Sequence, residues 1–396
     1  MVSDYGDPDI YRSPRYTPDV TQALSECTTS AMWDDWDLAG LLTDVPHAFA
    51  GKMGAKFGIF CSTGTAGLHA SLMALELLPG DEVIVPCMTF IRAVTPLVHL
   101  GLQPVLVDVD PQTGNIQPEA IAAAISPRTR AVVVVHMWGI PADMAGIKEV
   151  CQRQGLQVIE DFSHAHFSMH ELGSVGSFGS VGYASLQRKK TFSVGEGGII
   201  VTNNPDIYDR LRQITSPGSF KGTPNYNEFS GFGLNMRMSP FSGVVARCLF
   251  DRAGEIVEAR AKHADEFSSL LSETGVIHPP TIPSYVRLVS AYGYKPSLSG
   301  EITLDQLAAG NAGGFWRFGR FSYDAIAENP FWRKSRAHYP FALQIQPKVL
   351  GPFTGYQTYL AGRVSLAVPT VGSDYWTDDV RDQWRSDLMR RLQGGT

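Results

Sequence analysis

Lys190 stands five residues before Gly195-Glu-Gly-Gly198 and twenty-nine after Asp161, which closes the apolar run Leu156-Gln-Val-Ile-Glu-Asp161. A lysine amine attacks an aldehyde only when neutral, so it must lie where burial or nearby positive charge lowers its reference pKa of about 10.4. A carboxylate at the carboxyl end of a buried strand lies on the edge where open α/β sheets hold their ligands. There a protonated pyridine nitrogen would neutralise it. Together the two residues supply what pyridoxal phosphate needs, one group for its aldehyde and one to keep its ring nitrogen protonated. Each also has a plainer use. Asp161 alone would serve equally as a helix cap or a metal ligand, and Arg188-Lys189-Lys190 would make a solvated cationic face. Position relative to the glycines selects Lys190, with Lys189 as its competitor.

A second group is Ser62-Thr-Gly-Thr-Ala-Gly67, after the short apolar Phe57-Gly-Ile-Phe60 and at the start of helical periodicity from Thr65. Free amides at a helix N-terminus, glycine for close approach and a hydroxyl make an anion cradle suited to a phosphate. The same residues also read as a capped helix start. His164, three residues beyond Asp161, is placed either to meet the cofactor's phenolic oxygen or to act as a structural donor.

These groups need a scaffold that gathers strand ends. From about Phe57 to Thr202 short β-branched runs alternate with helical stretches, the pattern of βα units around a mostly parallel sheet. The runs are Val83-Ile-Val85, Val105 to Val109, Ala131 to Val135, Leu156 to Asp161, Val181 to Ser185 and Gly198 to Thr202. Helices are expected over Thr65 to Leu78, Pro118 to Ile125 and Ala142 to Arg153, the last starting after Pro141. A further helix from about Ser239 to Ser272, interrupted or bent near Gly254, is expected to link an N-terminal arm and large domain, 1–261, to a smaller α/β domain, 262–396. In that second part Pro279-Pro280 and a glycine-rich Ala308 to Gly314 replace the βα rhythm. The arm, with Trp33 and Trp36, is expected to pack over the main body.

With 396 residues, 44% of them hydrophobic and 18% charged, the chain can bury a large core. A formal charge of −6 supplies no basic field for nucleic acid or anionic membrane. Met1 to Arg15 is polar and no run of about 18 apolar residues occurs, so a cytoplasmic location is the default expectation. Cys27, Cys61, Cys87, Cys151 and Cys248 are odd in number with no CxxC, which points to no disulfide framework and no metal site. Cys61 and Cys87 stand beside segments assigned to the site and are either pocket lining or small buried fillers.

Residues 57–240 further resemble the DegT/StrS-type sugar aminotransferases, pyridoxal phosphate enzymes of aspartate aminotransferase fold type I. The resemblance rests on ordered words, among them Gly64-Thr-Ala66, Gly80-Asp-Glu-Val-Ile-Val-Pro86, Thr89-Phe90, Pro104 to Asp110, Val135-His136, Glu160-Asp161, Gly176-Ser-Phe-Gly179, Gly195-Glu-Gly-Gly198 and Asn235-Met-Arg-Met238. It implies a fold type I α/β transferase: a mostly parallel central sheet flanked by helices, with a smaller C-terminal α/β domain. It implies Lys190 as the Schiff-base lysine, Asp161 as partner of the pyridine nitrogen, Phe90 as the aromatic stacked on the ring, and Gly64, Thr65 and Ser185 as phosphate contacts. His164 falls where glutamine is common and its contact carries over in kind. Asn235 matches an amide reaching the phosphate from a partner subunit, which implies a homodimer with shared active sites. Gln187 in Ser185-Leu-Gln187 matches wording of the subgroup acting on aminocyclitols.

The activity so implied is transfer of an amino group from an amino acid donor, glutamate or glutamine, to a keto-sugar, keto-cyclitol or related carbonyl acceptor. Departures are Arg92-Ala93 after Phe90, the extra Lys189, and the chain beyond about 275. They leave room for a pyridoxal phosphate lyase, dehydratase or amino-acid-modifying enzyme. Arg92 is a candidate for a substrate carboxylate or an ordinary solvated arginine. A binding protein retaining the fold would have no use for both Lys190 and Asp161. A nicotinamide dehydrogenase would need GxGxxG, and Gly173-Ser-Val-Gly-Ser-Phe-Gly179 has the wrong spacing.

Overall fold

A computed structural model describes residues 18–29, 40–218, 229, 231–290, 295–299, 318–319, 323, 325–333, 345–360, 365–366 and 378–392. The β-branched runs form the centre of one sheet: β1 Phe57–Cys61, β2 Glu82–Pro86, β3 Gln103–Val107, β4 Thr129–Val135 and β5 Gln157–Asp161. After the short β6 Met169–His170 and β7 Gly173–Ser174 come β8 Val181–Ser185 and β9 Gly198–Thr202. The order is β1-β9-β8-β5-β4-β2-β3, and Lys348–Val349 pairs parallel to β3 at the far edge. β3, β2, β4, β5 and β8 are parallel neighbours, whereas β9 pairs antiparallel with both β1 and β8. Among these strands β9 alone therefore runs against the rest. The mostly parallel α/β architecture is as the sequence leads one to expect.

Side-chain alternation explains how the sheet is covered on both sides. Val83, Val85, Val133 and Ile159 pack with Leu68 and Leu72 of α3 (Gly64–Ala74). Their neighbours Ile84, Val132, Val134 and Val158 pack on the opposite face with Ile121 and Ile147. Those two belong to α5 (Pro118–Ala124) and α6 (Met144–Gln154), α4 being the short Thr95–His99. Period-two strands thus feed two helical layers, and each fully buried valine or isoleucine contributes about 1.5–3 kcal/mol. A further cluster joins Phe60, Phe162 and Val201 to Phe49 of α2 (Leu41–Lys52), which follows α1 (Pro18–Thr29).

Several boundaries differ from expectation. α3 ends at Ala74, and α6 starts not after Pro141 but at Met144, where the Asp143 carboxylate accepts the Gly146 amide at 3.0 Å. α7 (Pro205–Thr215) is new to the structure, although Asn204 caps it and Pro205 opens it. The long helix is interrupted close to Gly254 as expected, at Arg252, giving α8 (Pro240–Asp251) and α9 (Ala253–Ser272). Trp33, Trp36 and the segment Ala308 to Gly314 lie outside the described residues. No described helix is long and apolar enough to cross a membrane.

One buried carboxylate holds the layers in register. Glu160 on β5 accepts amides from Gly176, Phe178 and Gly179 at 2.7, 2.7 and 2.6 Å. Its remaining contact is His136 Nε2 at 3.0 Å, both side chains having no solvent exposure. Since His136 Nδ1 accepts the Ala142 amide at 3.1 Å, Nε2 carries the proton and donates to Glu160. The words Gly176-Ser-Phe-Gly179 and Val135-His136 thus serve this pin.

Candidate active site

The carboxyl ends of β1, β5 and β8 lie at Cys61, Asp161 and Ser185, and β9, running the other way, begins beside them. Gly198 pairs with both Cys61 and Ser185 in register. A Cβ on Gly198 would come within 2.5 Å of the Thr63 carbonyl carbon, and one on Gly64 within 2.8 Å of Ser185 Cβ. Only glycine permits that approach, which seats the start of α3 against the end of β8.

At that helix start the cap reading holds. Thr63 Oγ1 accepts the Ala66 amide at 3.0 Å, and the Thr63 carbonyl accepts that of Gly67 at 2.9 Å. The Gly64 and Thr65 amides precede any acceptor within the helix, and the helix dipole adds positive potential there. Ser185 brings its hydroxyl to the same corner, its own amide donating to Ser163 Oγ at 2.8 Å. The Ser62 amide donates to the Met236 carbonyl at 2.7 Å, so the segment after Asn235 is tied to the cradle's edge. Asn235 itself is exposed, with φ 52°, and its amide donates to Ser216.

Asp161 is half-buried rather than wholly buried. Its Oδ1 accepts the Ser163 amide at 2.9 Å, a local Asx turn, and its Oδ2 accepts the Tyr183 hydroxyl at 2.9 Å. Burial, then the Asp161 charge, pushes the Tyr183 phenol well up, so it stays a donor. Lys190 enters through a tight turn in which its amide donates to the Gln187 carbonyl at 2.8 Å. Burial brings the Lys190 amine down to about 8, Asp161 opposing and Lys189 assisting. Lys189 is exposed, whereas Lys190 is half-buried.

An aromatic wall adjoins these groups. His164 stacks on Trp138 with ring centres 5.2 Å apart, and Tyr323 stacks on Trp138 at 5.3 Å. Tyr323 also lies 6.2 Å from Phe90, whose ring is 49% exposed, and Arg92 spans that ring at 5.7 Å. Burial, then the charge of Lys190, holds His164 well below its ordinary pKa, and burial takes His166 down to about 3. Both imidazoles are neutral at physiological pH. Cys61 and Cys87 are buried in the core, and burial pushes the Cys61 thiol up to about 12, leaving it inert.

The structure thus gathers Gly64, Thr65 and Ser185 in one corner and places Lys190 within electrostatic reach of both Asp161 and His164. Phe90 joins them through Tyr323. Tyr183 and Ser163, which hold Asp161, were not singled out by sequence reasoning. The signal for Tyr183 was register, since it pairs with Asp161 on the adjacent parallel strand. An amine that is neutral in part near pH 8, a supported carboxylate, an accessible aromatic face and free helix amides form a donor set that fits pyridoxal phosphate.

Residues 20–334 match the DegT/DnrJ/EryC1/StrS aminotransferase family. A Streptomyces kanamyceticus protein with the provisional name L-glutamine:3-amino-2,3-dideoxy-scyllo-inosose aminotransferase is 30% identical over 77% of this chain and 74% of its own. The UDP-N-acetyl-3-dehydro-alpha-D-glucosamine 3-aminotransferase of Acidithiobacillus ferrooxidans is 30% identical over 76% of this chain and 80% of its own. Among solved structures, an aminotransferase from Psychrobacter cryohalolentis superposes with a TM-score of 0.79 at 25% identity, covering 94% of this chain and 96% of that one.

Proposed function

Since the chain belongs to the DegT/DnrJ/EryC1/StrS aminotransferase family, we propose that it carries an amino group from glutamate or glutamine to a keto-sugar or keto-cyclitol, with pyridoxal phosphate bound at Lys190. The observation that carries this reading is the Lys190 amine, lowered to about 8 by burial and set against Asp161. The names of relatives support a sugar or aminocyclitol acceptor, and one of them includes L-glutamine. When bound, the cofactor supplies an aldehyde that exchanges amines and a ring that accepts electrons from a breaking C–H bond.

The chain's residues do the rest. Lys190 would hold the cofactor through its amine and, as a neutral base, would take up and return the proton at the substrate α-carbon. Asp161 keeps the ring nitrogen protonated, and Tyr183 and Ser163 fix the orientation of that carboxylate. The Gly64 and Thr65 amides and the Ser185 hydroxyl hold the phosphate. Phe90 offers a stacking face, and His164, neutral and stacked on Trp138, would be the group to meet the phenolic oxygen.

The working unit is a cytoplasmic homodimer in which Asn235 reaches the partner's phosphate site. Phe229, Phe232 and Leu234, just before Asn235, are 67, 90 and 44% exposed, an apolar stretch suited to burial by a second copy. The division at 261/262 belongs to the same reading, with α9 as the linking helix. A sedimentation mass equal to one 43.2 kDa chain would refute the dimer.

Incubation with a panel of amino acids tests the reaction. A suitable donor should shift the cofactor absorbance to the pyridoxamine form and release a keto acid, and Lys190→Ala should abolish turnover while a Lys189 substitution does much less. A cofactor spectrum that returns unchanged after reaction would instead identify a lyase or dehydratase.

A further inference from the structure

The segment that carries Asp161 and His164 closes with a residue in a costly backbone conformation. Ser163 folds back on Asp161, the Ala165 amide donates to the Phe162 carbonyl at 2.8 Å, and the Ser168 amide donates to the Ala165 carbonyl at 2.9 Å. The chain from Asp161 to Ser168 is therefore a run of tight turns. Near its end Phe167 has φ 59°, in the left-handed region that few bulky side chains adopt. Such a residue persists only where its surroundings over-determine it, and strained positions gather at working sites.

The Phe167 ring lies 4.7 Å from that of Phe49 on α2 and 5.2 Å from that of Phe192, and Phe49 and Phe192 are themselves 6.3 Å apart, edge to face. The three rings close a triangle at separations that aromatic pairs favour. Phe192 stands two residues after Lys190 and is 3% exposed. His166, wholly buried, meets it from the Asp161 segment with ring centres 5.7 Å apart. Lys190 itself leaves the sheet on a short loop pinned at its base, where the Val194 amide donates to the Leu186 carbonyl and the Arg188 amide to the Gly195 carbonyl, both at 2.9 Å. Between those bonds Phe192 reaches into the buried cluster that also holds Phe49, Phe162 and Phe250. Phe167 thus ties the segment bearing Asp161 to the loop bearing Lys190, with α2 as the common support.

We propose that Phe167 and Phe192 are positioning residues for the lysine, their ring contact holding the Lys190 loop against the Asp161–His164 segment so that the amine is kept from water. The proposal rests on the amino-transfer reading for the use of that amine. It also gives the strain at Phe167 a role. Rotation of φ into its ordinary negative range would redirect the Cα–Cβ bond and carry the ring off Phe192.

The rate of pyridoxal phosphate uptake by the cofactor-free chain, followed by absorbance across the pH range, tests this. The unaltered chain should show a midpoint near 8, where burial holds the Lys190 amine. Phe167→Gly adopts the same backbone without strain but has no ring, and Phe192→Leu keeps an apolar side chain without the aromatic contact. In both, water reaching the amine should raise the midpoint by about one unit and slow uptake at pH 7 about tenfold. Phe250→Leu is the control, since Phe250 meets Phe49 at 5.8 Å in the same cluster and lies outside the lysine loop. It should lower the urea midpoint and leave the pH midpoint in place. Phe167→Gly, at a half-buried position, keeps the test open should Phe192→Leu not fold. An unmoved pH midpoint in either folded variant, or an equal shift in Phe250→Leu, would overturn the proposal and leave the amino-transfer reading standing. Uptake that persists undiminished in Lys190→Ala would overturn both.

Discussion

Glu160 and Asp161 are consecutive carboxylates on one strand, yet they are set up for opposite purposes. Glu160 points into the protein, where three backbone amides and His136 satisfy it completely and tie the Gly176–Gly179 turn to β4 and β5. Asp161, one residue on and on the other face, is half-buried and holds two neutral donors, with the Lys190 amine in electrostatic reach. A carboxylate saturated by fixed donors stabilises a fold and has nothing left to offer a ligand. One with two supports and an accessible side remains available for an additional positive partner. The contrast separates the structural from the chemical half of Glu160-Asp161, although both belong to one sequence word.

Substitutions sharpen the contrast. Glu160→Ala strands four donors, the Gly176 amide and His136 among them wholly buried, and should lower unfolding stability by about 3–5 kcal/mol, read as a fall in urea midpoint at unchanged slope. Asp161→Asn should do the reverse. Its stability change should stay below about 1 kcal/mol, while kcat falls by about 10²-fold or more as the ring nitrogen loses its anionic partner. If the two variants lost stability equally, the division would be wrong.

A smaller effect comes from pH. The Lys190 amine is lowered from 10.5 to about 8, so its reactive neutral fraction grows as pH rises through about 8. Cofactor uptake by the cofactor-free chain should therefore accelerate by roughly tenfold between about pH 7 and 9. A flat profile would mean the amine is not held as described. Smallest is Tyr183→Phe, which removes one support of Asp161. It should cost about 1 kcal/mol in stability and only a few-fold in kcat, measured side by side with Asp161→Asn.

What was legible in the sequence follows physical lines. Lys190, Asp161, Gly64 and Ser185 stand at strand ends or glycine turns, and those positions announce themselves through abrupt changes in hydrophobic pattern. The sheet was legible because strands covered on both faces need unbroken β-branched runs such as Val132-Val-Val-Val135. Tyr183 and Ser163 were not, because their roles arise from register between β5 and β8 and from a two-residue turn, neither of which leaves a composition signal. Tyr323 and Lys295 were hidden for another reason. They come from a part of the chain without βα rhythm and reach the wall only through tertiary packing on Trp138. The helix interruption near Gly254 was legible, and its exact place is Arg252, in a non-helical conformation with φ −102° and ψ 13°.

The central claim is that Lys190, and neither Lys189 nor Lys295, anchors the cofactor. Borohydride reduction of the protein incubated with pyridoxal phosphate, followed by peptide mapping, tests it directly. The account predicts a single pyridoxyl group on the Lys190 side chain. A label on Lys189 or Lys295, or no label at all, would contradict it.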